Sequence, residues 1–487
     1  MFFKSLKAFI FTCTLLSSSV FAGGVSPYLP LKTDPLIELE IERLASLAKM
    51  PVLNKPYHAA TVLEYLSKIE ESHPVLHHRI NSYLKRYKKE ASITHFSLSG
   101  ANSFEDNKTL ANARGQQIDS HYQVSAAAFW QFNKYIIANV GGTFYEDGDF
   151  IPNHSYLSFG VDWLQIDVGF REHWLSPHQD SALLVSTHAQ PPLNITFSNV
   201  KPFEWFNIRY ELSVGLLDDT DNILFEDGYT SGEVGFITMH GSLQPLDFWT
   251  IGFNRTLMFG GGDRSISFDD IWNGITDPAG SDNCLDDTDN PDITCGKDDE
   301  IGNQMASITN KFDLTIFDMP MSFYHEYAGE DTKQHKNTQL GNIALNYGLF
   351  FPYITEQVSL NIEHANFMHG WYVHSIYTDG YTNNGSIMGH WWGGAKPTDE
   401  KNGGTAWSVR VDYDIDQQSQ LQVMYRTADI ETAENNFIPT QHDYERSHEL
   451  EFTLNNAHKT YFYTSKLHIG KDTLGEEFLR ASVAFRY

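Results

Sequence analysis

The chain has 487 residues, a formal net charge of −28 at pH 7, 14% aromatic residues and a mean hydropathy of −0.36. So acidic a chain is unsuited to nucleic-acid binding, because neutralising phosphates requires a basic surface. After the N-terminal segment no apolar run reaches the ~18 residues of a membrane-spanning helix, which excludes that class of membrane protein. The abundant glycine and aromatic residues favour an exported, β-rich protein.

The first residues have the composition of a secretory signal peptide. Lys4 and Lys7 precede a short apolar stretch, and Val20 and Ala22 supply the small residues of a cleavage site. The apolar stretch is too short to span a membrane. We therefore predict a signal peptide over residues 1–22 that is cleaved after Ala22.

Residues 31–90 differ in composition from the rest of the chain. Residues 1–30 and 31–90 each carry a net charge of +2, which leaves −32 for the remaining chain. Apolar residues within 34–89 recur at helical spacing in three stripes, and these stripes predict a small helical bundle. The stripes are Ile37, Ile41, Leu44 and Ala48; Ala59, Val62, Leu66 and Ile69; and Leu76, Ile80, Tyr83 and Tyr87.

From residue 91 onward the apolar residues change from helical spacing to strict alternation. Trp407, Val409 and Val411 share one face of such a segment, for example, while Ser408 lies on the other. About eighteen segments of this kind predict strands. They are 91–99, 121–132, 135–145, 155–163, 165–174, 193–199, 205–217, 232–242, 246–256, 305–316, 320–328, 338–351, 355–365, 404–414, 418–428, 445–455, 459–469 and 476–487.

The connections between these strands alternate in length. Those at one end are short, for example "DMP" and "NNAH". Most at the other end are long: 100–120, 146–154, 175–192, 218–231, 257–304, 366–403 and 429–444. Strands of about ten residues with short turns at one end and long loops at the other are typical of outer-membrane barrels. A soluble many-stranded sandwich is the alternative.

An even number of strands brings both ends of a closed barrel to one side of the membrane, the periplasm. We therefore predict an all-β transmembrane barrel of about 18 antiparallel strands over residues 91–487, with long extracellular loops. The helical bundle of residues 31–90 lies on the periplasmic side in this prediction. Leu479 to Tyr487 form a closing strand with an aromatic end, which is similar to the signal that the barrel-insertion machinery reads. That machinery is an expected partner during assembly.

Cys284 and Cys295 are the two cysteines outside the predicted signal peptide. A cysteine pair in an exported protein predicts a disulfide, and a zinc site is the weaker alternative because two thiols lack further ligands. The acidic loop over 282–300 also holds four aspartates: Asp286, Asp287, Asp289 and Asp292. Their composition suits calcium, but the EF-hand spacing and glycine are missing, which favours a solvated acidic loop. We predict no metal site.

Four stretches share the long-loop end of the predicted barrel. They are "REHWLSPHQDSALLVSTHAQPPLNI" (171–195), "GFNRTLMFGGGDR" (252–264), "YHEYAGEDT" (324–332) and "YTDGYTNNGSIMGHWWGG" (377–394). In this order they resemble the Wzi family of outer-membrane proteins associated with capsule assembly. The residues that carry the resemblance are Trp174, Pro177, Ser181, Leu183, Leu184, Ser186, Ala189, Pro192, Arg255, Gly261, Gly262, Arg264, Gly329, Glu330, Asp331, Gly389 and His390. The resemblance runs from the helical segment to the C-terminus and implies an eighteen-stranded barrel with a helical bundle.

The resemblance implies binding of capsular polysaccharide, since the family acts as a lectin that holds the polymer at the surface. Trp391 and Trp392 can stack on sugar rings. The predicted polysaccharide-binding residues are Trp174, Arg255, Arg264, Glu330, Asp331, His390, Trp391 and Trp392. Aromatic residues near strand ends also form interfacial girdles, and glycines also serve tight turns, so each motif has a structural alternative. Where the family usually has a Gly-Pro-Gly turn, this chain has "LSPHQDS". If that turn contacts the polymer, we expect the ligand of this protein to differ from that of the family.

The predicted function is that of an outer-membrane lectin for capsular or exopolysaccharide, not an enzyme, and we expect a monomer without cofactors. The sequence lacks the G-x-S-x-G and H-E-x-x-H motifs. Glu330 and Asp331 are adjacent, so on a strand they point to opposite faces and cannot flank one glycosidic bond. A diffusion porin is the alternative, because strand number and polar lumen suit it equally. The lectin predicts a closed barrel, with loops 257–304 and 366–403 folded inward.

The charge of −32 in the barrel region leaves two possibilities for the ligand. A neutral or weakly acidic polymer would be held by Trp391, Trp392 and hydrogen bonds to hydroxyls. A strongly acidic polymer would need a local basic patch, for which Arg255, Arg264 and His390 are candidates, with divalent cations bridging at the acidic loop. We favour the first possibility.

Overall fold

The structure is a computed structural model that describes most of the chain after the predicted signal peptide. It covers residues 24–104, 108–146, 150–277, 300–332, 336–337, 339–431, 442–458 and 461–487, with Asp331 and Thr332 as backbone alone. The signal peptide, the Cys284–Cys295 pair and the four aspartates lie outside these residues and stay predictions. Within the described part, no helix is long and apolar enough to cross a membrane. The same residues contain no group of three or more His, Cys, Asp or Glu arranged to hold a metal ion.

Eighteen long strands in the described ranges follow the helical segment, and each pairs with its neighbours in chain order. They are β1 (Ala91–Phe104), β2 (Tyr122–Asn133), β3 (Ile136–Tyr145), β4 (Ser155–Val161), β5 (Leu164–Phe170), β6 (Leu193–Ser198), β7 (Arg209–Phe225), β8 (Gly228–Leu246), β9 (Trp249–Phe259), β10 (Gly302–Ile316), β11 (Met319–Thr332), β12 (Leu340–Thr355), β13 (Val358–Phe367), β14 (Gly403–Asp414), β15 (Ser419–Glu431), β16 (His448–His458), β17 (Tyr461–Lys471) and β18 (Glu477–Arg486). Each predicted segment overlaps one of these strands. A two-residue strand, Phe150–Ile151, also joins the sheet, and Thr382–Asn383 pairs with Ser386–Ile387 in a small separate hairpin.

The sheet closes on itself into a barrel. β1 pairs antiparallel with β18, in a register that sets Ser97 opposite Arg486 and Phe104 opposite Leu479. Closure removes every sheet edge, which a bilayer requires because lipid cannot hydrogen-bond to exposed backbone. The closed antiparallel barrel confirms the predicted fold class and replaces the alternative of a soluble sandwich.

The strands place polar side chains inside the barrel and apolar side chains outside. On β10, Ser307, Thr309 and Lys311 are at most 4% exposed, while Ile308 among them is 37% exposed. This arrangement inverts that of a water-soluble protein and suits a wall that faces lipid.

Three helices fill the mouth at the end where the connections are short. They are α1 (Pro35–Leu47), α2 (Ala59–Leu66) and α3 (Pro74–Leu84), with 3₁₀ turns at Ser67–Ile69 and Lys85–Lys88. Asp34 caps α1, since its carboxylate accepts a hydrogen bond from the backbone N–H of Ile37 at 3.3 Å. The three predicted apolar stripes pack in one core with Phe129 and Ile137 of the barrel wall.

Charged contacts bind this bundle to the barrel. Arg43 Nη1 lies 2.7 Å from Asp414 Oδ2 at the end of β14. Arg79 donates to the carbonyl of Gln417, in the short turn that follows, at 3.1 Å. The helices therefore sit where the chain enters the barrel, at the mouth opposite the long loops.

Two predictions about the long loops are wrong for the described residues. The connection predicted over 218–231 is a tight hairpin, because β7 continues to Phe225 and β8 begins at Gly228. The sequence "DDTDN" is polar on both faces, which hides the alternation that marks a strand. The described start of loop 257–304 does not fold inward; it forms helix α4 (Phe268–Thr276) and packs on outward-facing side chains.

Candidate functional site

Two long loops fold back into the barrel at the long-loop end. Loop A, residues 171–192, connects β5 to β6, and loop B, residues 368–402, connects β13 to β14. Their apolar side chains share one buried core: Leu175, Leu183, Leu184, Val185 and Ala189 from loop A, and Trp371, Tyr372, Ile376, Tyr377, Tyr381, Ile387, Met388, Trp391 and Trp392 from loop B. The inward fold predicted for loop 366–403 is therefore confirmed.

A row of alanines on the inner wall makes room for these loops. Ala328, Ala344, Ala365, Ala406 and Ala428 lie on the consecutive strands β11 to β15, and each is at most 2% exposed. Ala328 pairs with Ala344, and Ala406 pairs with both Ala365 and Ala428. Small side chains here let the bulky loop residues approach the wall at normal packing density.

The two loops meet through residues of the sequence motifs. Ser186 Oγ donates to the carbonyl of Gly389 at 2.6 Å. Tyr372 Oη donates to the carbonyl of Leu183 and accepts from the backbone N–H of His390, the latter at 2.7 Å. A side chain at position 389 would clash, because an added Cβ would collide with Tyr372 Oη. The first and fourth motif stretches therefore build one junction between loops A and B.

A buried ion pair fixes loop A to the wall and to loop B. Arg426 of β15 contacts Asp180 of loop A, with Nη2 and Oδ1 2.5 Å apart. The indole N–H of Trp391 donates to the other oxygen of Asp180 at 3.1 Å. Burial would raise the pKa of Asp180, but the Arg426 guanidinium outweighs it and holds the pKa at about 2. Asp180 is therefore charged at neutral pH, and it holds the Trp391 ring in one orientation.

Three histidines of these loops are buried in the neutral form. Loss of hydration lowers the pKa of His390 to about 3, that of His188 to about 4 and that of His178 well below its usual value. The Nδ1 atom of His390 accepts a hydrogen bond from the backbone N–H of Trp392 at 3.0 Å. The predicted role of His390 in a basic patch is not supported, because a neutral imidazole adds no positive charge.

A pocket of about 260 Å³ lies beside the loop junction, and we name it the outer pocket. It is lined by Trp391, Lys396, Lys108, Glu449 and Thr473, among others, all from the long-loop end of the barrel. That volume accommodates a polar, ring-sized group.

The outer pocket combines an aromatic surface with charged and polar groups. Lys108 Nζ lies 2.6 Å from Glu449 Oε1. Lys396 Nζ donates to the carbonyl of Glu400 at 2.6 Å, and burial lowers the pKa of Lys396 to about 8. Trp391 is 7% exposed and is the one tryptophan among the described lining residues. Sugars present apolar ring faces between hydroxyl groups, so this mixture of surfaces is suited to them.

The other two predicted tryptophans lie in the protein interior. Trp392 is 0% exposed, its ring stacks on Phe367 with centroids 4.2 Å apart, and its indole donates to the carbonyl of Asp429 at 3.3 Å. Trp174 is 1% exposed and donates to the carbonyl of His178 at 3.1 Å. In the described structure both side chains hold loops together.

The two predicted arginines also contact protein groups. Arg255 lies on the outward face of β9, where its guanidinium donates to the carbonyl of Ile275 in α4 at 2.6 Å. Arg264 is 4% exposed and donates to the carbonyl of Glu300 at 2.7 Å. The structure therefore does not gather Arg255, Arg264 and His390 into one basic patch.

The remaining predicted residues lie near the end of β11. Glu330 is 4% exposed and accepts a hydrogen bond from Asn342 Nδ2 at 2.7 Å, while the backbone of Asp331 pairs with Gly341. Of the eight predicted binding residues, Trp391 is the one that the described structure places in the outer pocket. Contact with polymer stays a prediction for all of them.

Most of the outer pocket could not be found from the sequence. Lys108, Lys396, Glu449, Asp472 and Thr473 come from separate connections and strands that only the folded loops bring together. No spacing links residues so far apart in the chain. The one local signal is Lys396, which follows the tryptophan pair by four residues.

A second cavity of about 260 Å³ lies deeper, between the helical bundle, loop A and the wall. Its lining includes eight cationic residues: Lys32, Lys55, Arg114, Arg410, Arg426, Lys466, Arg480 and Arg486. It includes four carboxylates: Glu38, Glu42, Asp180 and Glu451. The local excess of positive charge is opposite to the net charge of the chain, so net charge alone does not fix the charge of a ligand.

Comparison with known proteins identifies relatives by sequence. Residues 84–465 match the family described as "Capsule assembly protein Wzi". A Klebsiella pneumoniae protein, described as an uncharacterized 55.8 kDa protein in the cps region, is 33% identical over 108 residues. That alignment covers 21% of this chain and 19% of the relative, so it spans about a fifth of the relative's length.

Solved structures resemble the whole barrel. Wzi of Escherichia coli, described as an outer membrane protein involved in group 1 capsule assembly and a carbohydrate-binding β-barrel, has a TM-score of 0.68 at 16% identity, over 96% of this chain and 99% of that chain. OpdQ of Pseudomonas aeruginosa has a TM-score of 0.49 at 10% identity, over 82% and 96% of the two chains. At these identities the first comparison shows the fold alone, and the second is too distant to carry an argument. Because the family match spans most of a closed eighteen-stranded transmembrane barrel, the chain is an outer-membrane protein and belongs to the Wzi family of capsule assembly proteins.

Proposed function

We propose that the protein binds capsular or exopolysaccharide at its long-loop end and helps to retain or assemble the polymer at the cell surface. Membership of the capsule assembly family supports this function, as does the description of E. coli Wzi as carbohydrate-binding. The observation that carries the proposal is the outer pocket, where the indole of Trp391 is held by Asp180 beside charged and polar groups. In this proposal the long loops face the exterior and the helical bundle faces the periplasm.

The pocket would recognise a sugar through a preformed surface. Asp180 already holds the Trp391 indole, so binding costs little side-chain entropy. The apolar part of the indole contacts a ring face, while the charged pair of Lys108 and Glu449 offers a donor and an acceptor to hydroxyl groups. The protein in this proposal holds the polymer without converting it.

We assign the other predicted residues to support of the site. Trp174, His390 and Trp392 each bond to or pack on other loop and strand residues, so they position loops A and B. Arg264 instead holds the connection between β9 and β10, where it donates to the carbonyl of Glu300. The "LSPHQDS" segment is buried within the barrel and includes Asp180, the residue that holds Trp391. In this proposal the departure from the family's turn changes how loop A docks, and it acts on the ligand only through the outer pocket.

A complementation experiment tests the proposal in cells. A strain that lacks the gene is complemented with the wild-type protein, with Trp391→Ala or with Trp205→Ala, and cell-associated and released polysaccharide are measured. Trp205 is the matched control, because it is 72% exposed in a turn at the opposite mouth. Wild type and Trp205→Ala should restore retention, and Trp391→Ala should restore less. Unchanged retention in the deletion strain would contradict the proposed function.

A diffusion porin is the rival function. The helical bundle and loops A and B occupy the lumen from its two ends, which favours a closed barrel. Purified protein in a planar bilayer should therefore show no steady open state at neutral pH. A stable conductance of porin size would contradict the closed barrel and favour the porin.

A further inference from the structure

Helix α4 lies on the outer surface of the barrel wall. Asn254 of β9 donates to the carbonyl of Leu175 in loop A at 3.2 Å, so the even-numbered residues of β9 face the lumen and the odd-numbered residues face outward. Outward-facing Leu257 and Ile237 form a buried apolar cluster with Ile301. Half-buried side chains packed against this cluster include Ile271 of α4. The helix therefore covers a patch on the side of the barrel that faces lipid.

Arg255 fastens the C-terminal end of α4 to this wall. Its guanidinium donates to the carbonyls of Gly274 and Ile275, at 2.5 and 2.6 Å. A cation at a helix C-terminus is favourable, because the last carbonyls carry partial negative charge. An arginine on the lipid side of a barrel is costly unless its donors are satisfied, so the helix and the arginine stabilise each other.

The helix has an apolar arc that the barrel covers only in part. Phe268, Ile271, Trp272 and Ile275 follow the i, i+3, i+4, i+7 spacing of one helical face. Ile271 and Ile275 are half-buried, whereas Phe268 is 72% exposed and Trp272 is 56% exposed. The opposite arc is polar: Asp269, Asp270, Asn273 and Thr276. Two large aromatic side chains are therefore left uncovered on the flank of a helix whose other side is polar.

The barrel wall beside α4 is apolar on its outward face. Phe253 lies two residues before Arg255 on the same outward face and is 49% exposed. On the nearby strand β7, Leu212 and Val214 also face outward and are 37% and 39% exposed. Tryptophan and phenylalanine at the edge of such a belt are typical of the membrane interface, where an aromatic ring contacts both lipid and headgroups.

We propose that α4 is an interfacial helix that rests in the membrane leaflet at the long-loop end, with Phe268 and Trp272 among the lipids and its acidic arc in water. This proposal does not depend on polysaccharide binding. The occupant of the exposed face is lipid, because the face adjoins the lipid-facing belt and its helix is amphipathic in the manner of membrane-surface helices. Arg255 contributes to membrane attachment in this arrangement by holding α4 against the wall.

Spin labelling in liposomes tests this position. In a Cys284→Ser/Cys295→Ser background, single labels are placed by Trp272→Cys, by Phe253→Cys as the lipid-facing control and by Asp227→Cys, at the tip of the β7–β8 hairpin, as the water-facing control. Collision rates with oxygen report lipid, and those with a water-soluble nickel chelate report water. The label at 272 should show the high oxygen and low nickel accessibility of the label at 253.

Two other outcomes would overturn the proposal. Accessibility equal to that of the 227 label would place α4 in water, and protection from both reagents would indicate a protein partner, including a second copy of the chain. Tryptophan fluorescence gives an independent readout, because brominated phospholipids quench tryptophans that lie among the lipids. They should quench the fluorescence of the wild-type protein more than that of Trp272→Phe. Arg255→Met should increase the mobility of the 272 label, because it releases the helix from the wall.

Discussion

Trp391 and Trp392 are adjacent and chemically identical, yet they face different surroundings. They begin a 3₁₀ turn, Trp391–Ala395, in which successive side chains point about 120° apart. Trp391 therefore reaches the outer pocket and Asp180, while Trp392 stacks on Phe367. The sequence predicted sugar stacking for both tryptophans. The 3₁₀ turn that separates their side chains could not be predicted from the residue types.

The ion pair beneath Trp391 gives a prediction about stability. Asp180→Asn breaks the buried ion pair with Arg426, and breaking such a pair typically costs about 3–5 kcal/mol. The midpoint of thermal unfolding in detergent should fall clearly. Asp429→Asn is the matched control, because the pair of Asp429 with Arg446 is exposed and should contribute little. Equal midpoints for the two variants would show that the buried pair does not hold loop A.

Loops A and B are the elements that distinguish this barrel from an open one. The strands were predictable because alternation of polar and apolar residues is a local pattern with a period of two. The β7–β8 hairpin was missed because "DDTDN" is polar on both faces. Helix α4 has an apolar arc at helical spacing, but it is only nine residues long and lies inside a segment that was predicted as a loop. The docking of loops A and B depends on the alanine row, and alanines spread over five strands become a pattern only when the register is known.

The alanine row predicts a specific response to added volume. Ala406→Leu would push a larger side chain against the loop core, and such overpacking typically costs about 1–3 kcal/mol. Near-ultraviolet circular dichroism should report altered packing of the loop aromatic residues. Val409→Leu, on the outward face of the same strand, adds volume towards lipid and should leave that spectrum unchanged. An identical spectrum for wild type and Ala406→Leu would mean that the row does not set the packing.

The buried histidines predict that acid loosens both loops. His178, His188 and His390 have lowered pKa values in the docked state, whereas a released loop would protonate them near pH ~6.5. The released state binds more protons below that pH, so docking weakens as the pH falls from about 6.5 towards about 4. Hydrogen exchange in loop A and loop B, corrected for its intrinsic pH dependence, should rise over this range.

Strand β14 is the internal control for that experiment. Its backbone hydrogen bonds belong to the barrel ladder on both sides, so its protection should persist at acid pH. Loops that stay as protected as β14 down to pH 4 would show that protonation of these histidines does not control docking.

At the scale of the whole molecule, the barrel holds three distinct parts. The helical bundle fills one mouth, the packed core of loops A and B fills the other, and the outer pocket lies beside that core.

The charge of the ligand was less predictable from the sequence than the architecture of the barrel. A chain with a net charge of −28 contains a deep cavity whose lining has more cations than carboxylates, because the fold buries its basic residues inside.

The most direct test of polysaccharide binding uses purified protein and the capsular polysaccharide of the source strain immobilised on a sensor surface. Wild type and Trp205→Ala should bind alike. Trp391→Ala should bind roughly two- to tenfold more weakly, because an aromatic contact contributes about 0.5–1.5 kcal/mol beyond the area it buries. Trp391→Phe keeps a ring but loses the hydrogen bond to Asp180, so it should fall between wild type and Trp391→Ala. No binding by the wild-type protein would contradict the proposed function, and equal binding by wild type and Trp391→Ala would exclude the outer pocket as the site.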